Sequence, residues 1–471
     1  VLATLGVASA QAILAACGAQ PKQVRRSTQV ASTEVRTWLR DAVSVLRGAG
    51  FDGVHVLAVR RQRITAGLDV LGAGVARSAS DGVVLSIRDR DGVRREHVTN
   101  SLSRDGVADA VKVLAGKAKP ANVDFGMMPA LPAVAKPDPD VLSDGMLVAK
   151  VAAMAQADRE GSSRIVYSAA LIDLDDAHVW SVAPGRDLEQ RIVRVRKSIT
   201  RVAWNGTRPV IAEAARAYSG GVDDIELPAD EIVKAREDAL ALMTPRAFPD
   251  GEHQVLLEPG LAAALIDAAV RAMLTSTAAS RPEVAARLAK VPSIAPLVTL
   301  VDDPRAPGAY GGFELDDAGV VGQPVTLVEQ GRIAARLGEG RSRRAGHVGL
   351  VEVMPSHLRL MAGTDAQQDL LDQGFALEGL QDVTIDPTSD RVVVSASRAR
   401  ERANKLDSGR VFADVELVGS LAQLLQSISG LSKDMRSIGF REEVHSQPRW
   451  RSVETPWVRV KALVRARRGI T

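Results

Sequence analysis

The chain has 471 residues, 46% of them hydrophobic and 25% charged, which is an ordinary globular composition with room for two or three domains. Sixty Lys+Arg against 57 Asp+Glu leave a formal charge of +3, and aromatics make up only 3%. That balance argues against a nucleic-acid partner, because single-strand binders add stacking aromatics to a basic groove, and the single cysteine, Cys17, excludes an intrachain disulfide.

Residues 1–16 form an apolar run of small residues that ends in Leu14-Ala15-Ala16-Cys17, followed by Gly18. The run falls short of the roughly 20 residues that a spanning helix needs. One reading is a buried first helix. The other is that the run resembles the lipobox of bacterial lipoproteins. That resemblance implies a signal peptide over 1–16, diacylglycerol on the Cys17 thiol and a polar tether over 17–28. It places the protein on the periplasmic face of the cell envelope, lipid-anchored. Gly18 stands where inner-membrane retention uses an Asp, which favours the outer membrane. No basic leader precedes the run in this sequence. Its mild hydrophobicity resembles twin-arginine export signals, whose arginine pair would lie upstream of Val1.

Residues 29–245 read as an N-terminal α/β domain. Val35, Leu39, Val43 and Leu46 have helical spacing within 29–48, and Gly48, Gly50 and Gly53 end that helix. Val-rich strands follow at 54–59 and 83–87, with a hairpin signal at Asp91-Gly92. A short helix is expected over 105–116. Five prolines between 117 and 145 (Pro120, Pro129, Pro132, Pro137 and Pro139) mark a crossing or linker. A helix over 146–157 precedes strands at 164–173, 178–182 and 191–204. Trp180 and Trp204 are expected to anchor this core. Asp173, Asp175, Asp176 and His178 could hold a divalent cation, but their pattern favours a polar turn between two strands. A helical pattern fills 207–245, interrupted at Gly220-Gly221 and Pro228.

Residues 250–471 read as a mainly antiparallel β domain with inserted helices. A strand at 254–258 leads into an apolar helix at Leu261–Leu274, and strands recur at 296–301, 324–328, 391–396, 411–418 and 457–464. The whole is of α+β class with two domains. No Gly-x-Ser-x-Gly elbow is present. Gly308–Gly312 lacks the Lys-Ser/Thr of a phosphate loop. His347, Glu352 and His357 are five apart, on different faces of a helix or strand. The basic tail Arg465–Arg468 suits a solvated end, or attraction to anionic lipid headgroups.

Several stretches in this half, taken in order, resemble the TldD/PmbA family of metalloproteases, once called gyrase modulators. They are Val255-Leu-Leu-Glu-Pro-Gly-Leu, then Asp316-Asp317-Ala-Gly through Pro324 to Gly331, then Ser408–Gly409 to Gly419 with the helix 420–428 and the closing strand. The resemblance covers 30–465 in element order and implies the two-domain fold of that family. Its active members carry H-E-x-x-x-H on a helix, which holds zinc and supplies a base, and a further cysteine ligand near the C-terminus. The corresponding positions here are Ile266, Asp267 and Arg271, and the region 430–439 has no cysteine. The resemblance therefore implies no catalytic or metal-binding residues in this chain, with zinc expected only in a partner subunit. Asp267 is either a relic of the base or a carboxylate paired with Arg271 at i, i+4. The implied role is a non-catalytic subunit beside a metal-bearing TldD-like homologue in a complex that acts on unfolded peptides. A stand-alone peptide-binding or scaffold lipoprotein, acting as a homodimer, is the alternative, and residual hydrolysis through other groups is a third possibility.

Overall fold

A computed structural model describes residues 31–117, 143–156, 164–288, 294–345, 350–444 and 447–467, except positions 52, 205, 207, 208 and 339, and 387. The expected signal peptide and tether, Cys17 and most of the expected proline-rich crossing lie outside the described residues. Among the described residues no helix is long and apolar enough to cross a membrane.

Helix α1 (Ser32–Gly48) turns Val35, Leu39, Ala42, Val43 and Leu46 inward. Strands β1 (Val54–Asp69) and β2 (Gly72–Arg88) form one long hairpin, running in register from Val54↔Ile87 to Asp69↔Gly72. The expected turn at Asp91-Gly92 leads to β3 (Arg94–Thr99), with Gly92 at φ 75°. Helix α2 (Arg104–Ala115) starts at Ser103, whose hydroxyl accepts from the Gly106 amide, and helix α3 (Asp144–Gln156) follows. Then come β4 (Ile165–Ala183), β5 (Arg186–Trp204), β6 (Pro209–Ser219) and α4 (Ala229–Ala241). The strands make one six-stranded antiparallel sheet ordered β3-β2-β1-β4-β5-β6. α1 and α2 cover one end of it through Val56, Leu85 and Trp180. α3 and α4 cover the other through Ile64, Ile172 and Val195.

Three sequence expectations fail in this sheet. The acidic stretch Asp173–His178 is no turn but the middle of β4, because β1 and β5 set arginines opposite its carboxylates: Arg63 Nε reaches Asp173 at 2.9 Å and Arg191 Nη2 reaches Asp176 at 2.8 Å. The helical pattern over 207–245 divides into strand β6 and helix α4. Ala212, Ala214 and Ala217 are all buried when the stretch pairs with β5, so sheet pairing overrides their helix propensity. Trp204 closes β5 opposite Pro209 and is 47% exposed, so only Trp180 anchors the core.

The second half begins with β7 (Gly251–Leu257) and helix α5 (Pro259–Met273), then short helices α6 (Ser276–Ala279) and α7 (Pro282–Leu288). Strands β8 (Leu300–Asp302), β9 (Val325–Glu329), β10 (Arg332–Ile333), β11 (Ser342–Ala345), β12 (Leu350–Val353) and β13 (His357–Leu360) follow. The long strands are β14 (Gly374–Asp386), β15 (Arg391–Ala403) and β16 (Leu406–Ser420). Helix α8 (Leu421–Gln426), β17 (Gly430–Leu431), β18 (Arg436–Val444), β19 (Gln447–Thr455) and β20 (Val458–Ala466) complete the chain. One sheet runs β16-β15-β14-β7-β20-β17, and β16 also pairs with β20, which closes a small barrel. A second sheet runs β10-β9-β8-β13-β19-β18. Side chains of α5 share one core with both sheets, including Leu257, Leu377, Val415, Leu358 and Val453. The α+β class and the mainly antiparallel second half expected from the sequence both hold, with β7–β14 and β13–β19 as parallel exceptions.

Candidate functional site

Helix α5 carries the positions where the family resemblance expects a metal motif. Pro259 opens it at a position that needs no amide donor. Just before it, Glu258 Oε1 accepts from the Gly379 amide at 2.5 Å. Leu261, Leu265, Ala269 and Met273 fix the helix in the core. Ile266 belongs to the same core and is 7% exposed.

Asp267 is buried and held from two sides. Arg271 Nε donates to Oδ2 at 3.0 Å, one turn along the helix, and Arg451 Nε from β19 donates to Oδ1 at 2.9 Å. Arg451 also donates through Nη1 to Glu442 Oε2 on β18 at 2.8 Å. Burial alone would raise the Glu442 carboxyl, but Arg451 foremost, then Arg271 and Arg449, hold it below the usual carboxylate range. Burial also opposes the charge on Arg451, and Asp267 and Glu442 outweigh it, so its pKa is raised.

This donor set does not fit zinc. Ile266 offers no lone pair, and Arg271 directs a permanent cation at the only carboxylate. Both oxygens of that carboxylate already accept from guanidinium groups. Among the described residues no three His, Cys, Asp or Glu side chains converge as metal ligands. What the arrangement can do is bind and orient. It places guanidinium forks, the side chains best shaped for carboxylates, beside a rigid helix.

The opposite face of the β18–β19 hairpin meets the N-terminal sheet. Trp450 lies between two guanidiniums, with Arg61 4.7 Å and Arg194 4.4 Å from its ring centroid. Arg441 Nη1 crosses to Asp173 Oδ2 at 2.9 Å. Burial pushes the Asp175 carboxyl up although Arg61, Arg194 and Arg441 surround it. Burial also takes the Tyr310 hydroxyl up to about 12.

Gly308–Gly312 belongs to a loop laid against this sheet. Arg194 donates to the carbonyls of Tyr310 and Gly312 at 2.7 and 3.0 Å. Gly308, at φ 72°, lies against the Tyr218 ring with no space for a Cβ. Between loop and sheet is a cleft of about 240 Å³ lined by Glu189, Arg191, Ser219, Arg305, Phe313 and Glu314, among others.

The remaining sequence candidates are separate. Asp173, Asp175, Asp176 and His178 each face a basic partner or Glu189 rather than a common point, so they form no cation site. Glu352 binds Arg449, and His357 Nδ1 lies 2.9 Å from Ser452 Oγ. His347 and Cys17 lie outside the described residues, as does Arg468 of the basic tail. Sequence reasoning missed Arg449, Arg451 and Glu442. Their signal was the alternation Arg449-Trp450-Arg451 near the C-terminus, which puts both arginines on one face of a strand.

Residues 250–466 match the family model described as the PmbA/TldA metallopeptidase C-terminal domain. A metalloprotease of Methanocaldococcus jannaschii is 24% identical over 291 residues, covering 57% of this chain and 63% of that protein. A metalloprotease TldD homolog of Buchnera aphidicola is 26% identical over 160 residues, covering 30% and 32%. The chain thus spans less than two thirds of the length of either relative. The crystal structure of TldE from Thermococcus kodakarensis superposes with a TM-score of 0.72 at 16% identity, covering 91% of this chain and all of that one. Residues 250–466 are thus similar to the C-terminal domain of PmbA/TldA metallopeptidases, and the chain as a whole shares the fold of TldE.

Proposed function

We propose that this chain is a metal-free member of its family, the non-catalytic subunit of a peptidase complex, and that it holds unfolded peptides for a metal-bearing relative. The observation that carries this reading is Asp267, the sole acid at the motif positions, locked between Arg271 and Arg451. A base needs a bound water to act on, and a carboxylate with both oxygens committed to cations has none to activate. Loss of catalytic groups on a retained fold is what a binding or shaping subunit requires.

The test is co-purification from native membranes at natural expression levels, with zinc measured in each component. A hetero-complex in which a second, motif-bearing family member holds the zinc supports the proposal. Stoichiometric, tightly held zinc in this chain alone overturns it. Recovery of homo-oligomers only favours the stand-alone peptide-binding role instead. Anchoring to the cell envelope, with the outer membrane as its site, belongs to the same proposal and rests on the sequence around Cys17. Mass spectrometry of the N-terminal peptide checks it. A diacylglyceryl Cys17 supports anchoring, and an intact unmodified segment through Cys17 counts against it.

A further inference from the structure

We propose that the arginines gathered beside α5 form a carboxylate-recognition site, with Arg449 as its bidentate donor, for the C-terminal carboxylate or an acidic side chain of a bound peptide. This rests on the peptide-handling role proposed above. Strand β19 sets Arg449 and Arg451 on one face, two residues apart. Arg451 is engaged through Nε by Asp267 and through Nη1 by Glu442. Arg449 Nη1 donates to Glu352 Oε2 at 2.5 Å, yet its Nε and Nη2 are buried without an acceptor among the described residues. The Arg449 side chain is only 5% exposed.

Nε and Nη2 lie on one edge of the guanidinium and present two parallel N–H bonds, the geometry that matches the two oxygens of a carboxylate. A buried charged donor left without a partner is costly, so an edge of this kind points to an acceptor. The rim is open: Arg271 is 39% exposed and Glu442 42% exposed. Glu442 stands directly opposite Arg449 across the hairpin. Its Oε2 accepts from Arg451 Nη1 at 2.8 Å. Glu442 is therefore the internal occupant of the cluster. An incoming carboxylate that turns Glu442 out to solvent and takes the Arg449 edge keeps the charges balanced.

The experiment measures binding of fluorescein-labelled oligo-alanine peptides to the full chain. One peptide has a free C-terminal carboxylate, one a C-terminal amide, and one is the amide with a central glutamate. The expected result is that the free acid, the glutamate peptide or both bind about 10-fold or more tightly than the plain amide, as charged hydrogen bonds allow. Which of the two does so identifies the source of the carboxylate. Arg449→Gln is expected to abolish that preference while leaving plain-amide binding in place, and Glu442→Gln to strengthen the preference. Equal binding of all three peptides overturns the carboxylate site and leaves the peptide role standing. A preference that survives in folded Arg449→Gln also overturns the site. Binding of none of them overturns both proposals. If Arg449→Gln does not fold, Glu442→Gln and the acid–amide comparison decide the question without it.

Discussion

Arg451 Nε lies 2.9 Å from Asp267 Oδ1, and this one contact ties the edge hairpin of the second sheet to the helix that carries the family's motif positions. Both side chains are almost fully buried, at 6% and 4% exposed. Taking Arg451 away leaves buried Asp267 with only the partly exposed Arg271 and strips Glu442 of its close partner. Arg451→Leu is therefore expected to cost up to about 3–5 kcal/mol of unfolding free energy, the full value applying only to a charge left wholly unpaired. The double variant Asp267→Leu/Arg451→Leu removes both charges and is expected to be more stable than the single one. Urea unfolding of the four proteins of this cycle measures the coupling, and a double variant no better than Arg451→Leu would count against the pair.

The seam between the halves gives a second prediction. Gly319 has φ 77°, and a Cβ there would meet Ser181 Oγ at 2.6 Å and Arg186 Nη2 at 2.8 Å. Arg186 Nη1 also donates to the Gly319 carbonyl at 3.2 Å. Gly319→Ala is expected to cost about 1–3 kcal/mol from backbone strain, with crowding added to it. A thermal midpoint unchanged from the parent would show that this loop is not held against the N-terminal sheet.

Strands β13, β14, β18 and β19 were not among those the sequence marked, but part of the second half was legible, where turn residues and periodic apolar positions agree. Helix α5 shows this: Pro259 marks its start and Leu261, Leu265 and Ile266 its buried face. Strand β4 was not legible as one strand. Four polar residues in six, at 173–178, carry a local turn signal, and it is cancelled by arginines of the neighbouring strands β1 and β5 and by Arg441 of β18, 268 positions along the chain. Strand β6 failed for a related reason, since Ala212, Ala214 and Ala217 favour helix until a neighbouring edge pairs with them. At the candidate site the sequence showed what was missing from α5. What fills the space beside it was hidden, because Arg451 reaches Asp267 across 184 positions of chain.

His357 gives a prediction about pH. Burial lowers its pKa, more strongly than Glu454 and Asp302 raise it. A histidine depressed in the fold is favoured neutral there. Its contribution to stability is present above the unfolded value of about 6.5 and is lost as pH falls through the folded value. The parent is thus expected to lose stability between pH 7.5 and 5.5. His357→Gln, which can still bond Ser452, is expected to lose less. Urea midpoints at the two pH values check this, and equal losses in both proteins would remove His357 from the account.

Two glutamates at the mouth of α5 are set in opposite directions. Burial pushes Glu258 up, with Glu378 adding to the effect against Arg398 and Lys234. Burial would raise Glu378 as well, but Arg398, Lys234 and Arg400 outweigh it and hold the carboxyl at about 2. Arg398 binds Glu378 at 2.9 Å and Asp238 of α4 at 2.6 Å, so this network also joins the two halves of the chain. The signs follow from linkage. Glu378, depressed in the fold, contributes stability above its unfolded value of about 4.3, and this is lost as pH falls toward 2. Glu258, raised in the fold, contributes stability below about 4.3, and this is lost as pH rises through its folded value. Glu378→Gln is therefore expected to lower stability at pH 7, on the order of 2 kcal/mol, and to flatten the acid limb of the stability curve. Glu258→Gln keeps an acceptor for the Gly379 amide and is expected to raise stability at pH 7 relative to pH 4. Unfolding free energies of both variants across pH 3–8 test the pair, and changes of the same sign at pH 7 would show that the two carboxyls are not set apart.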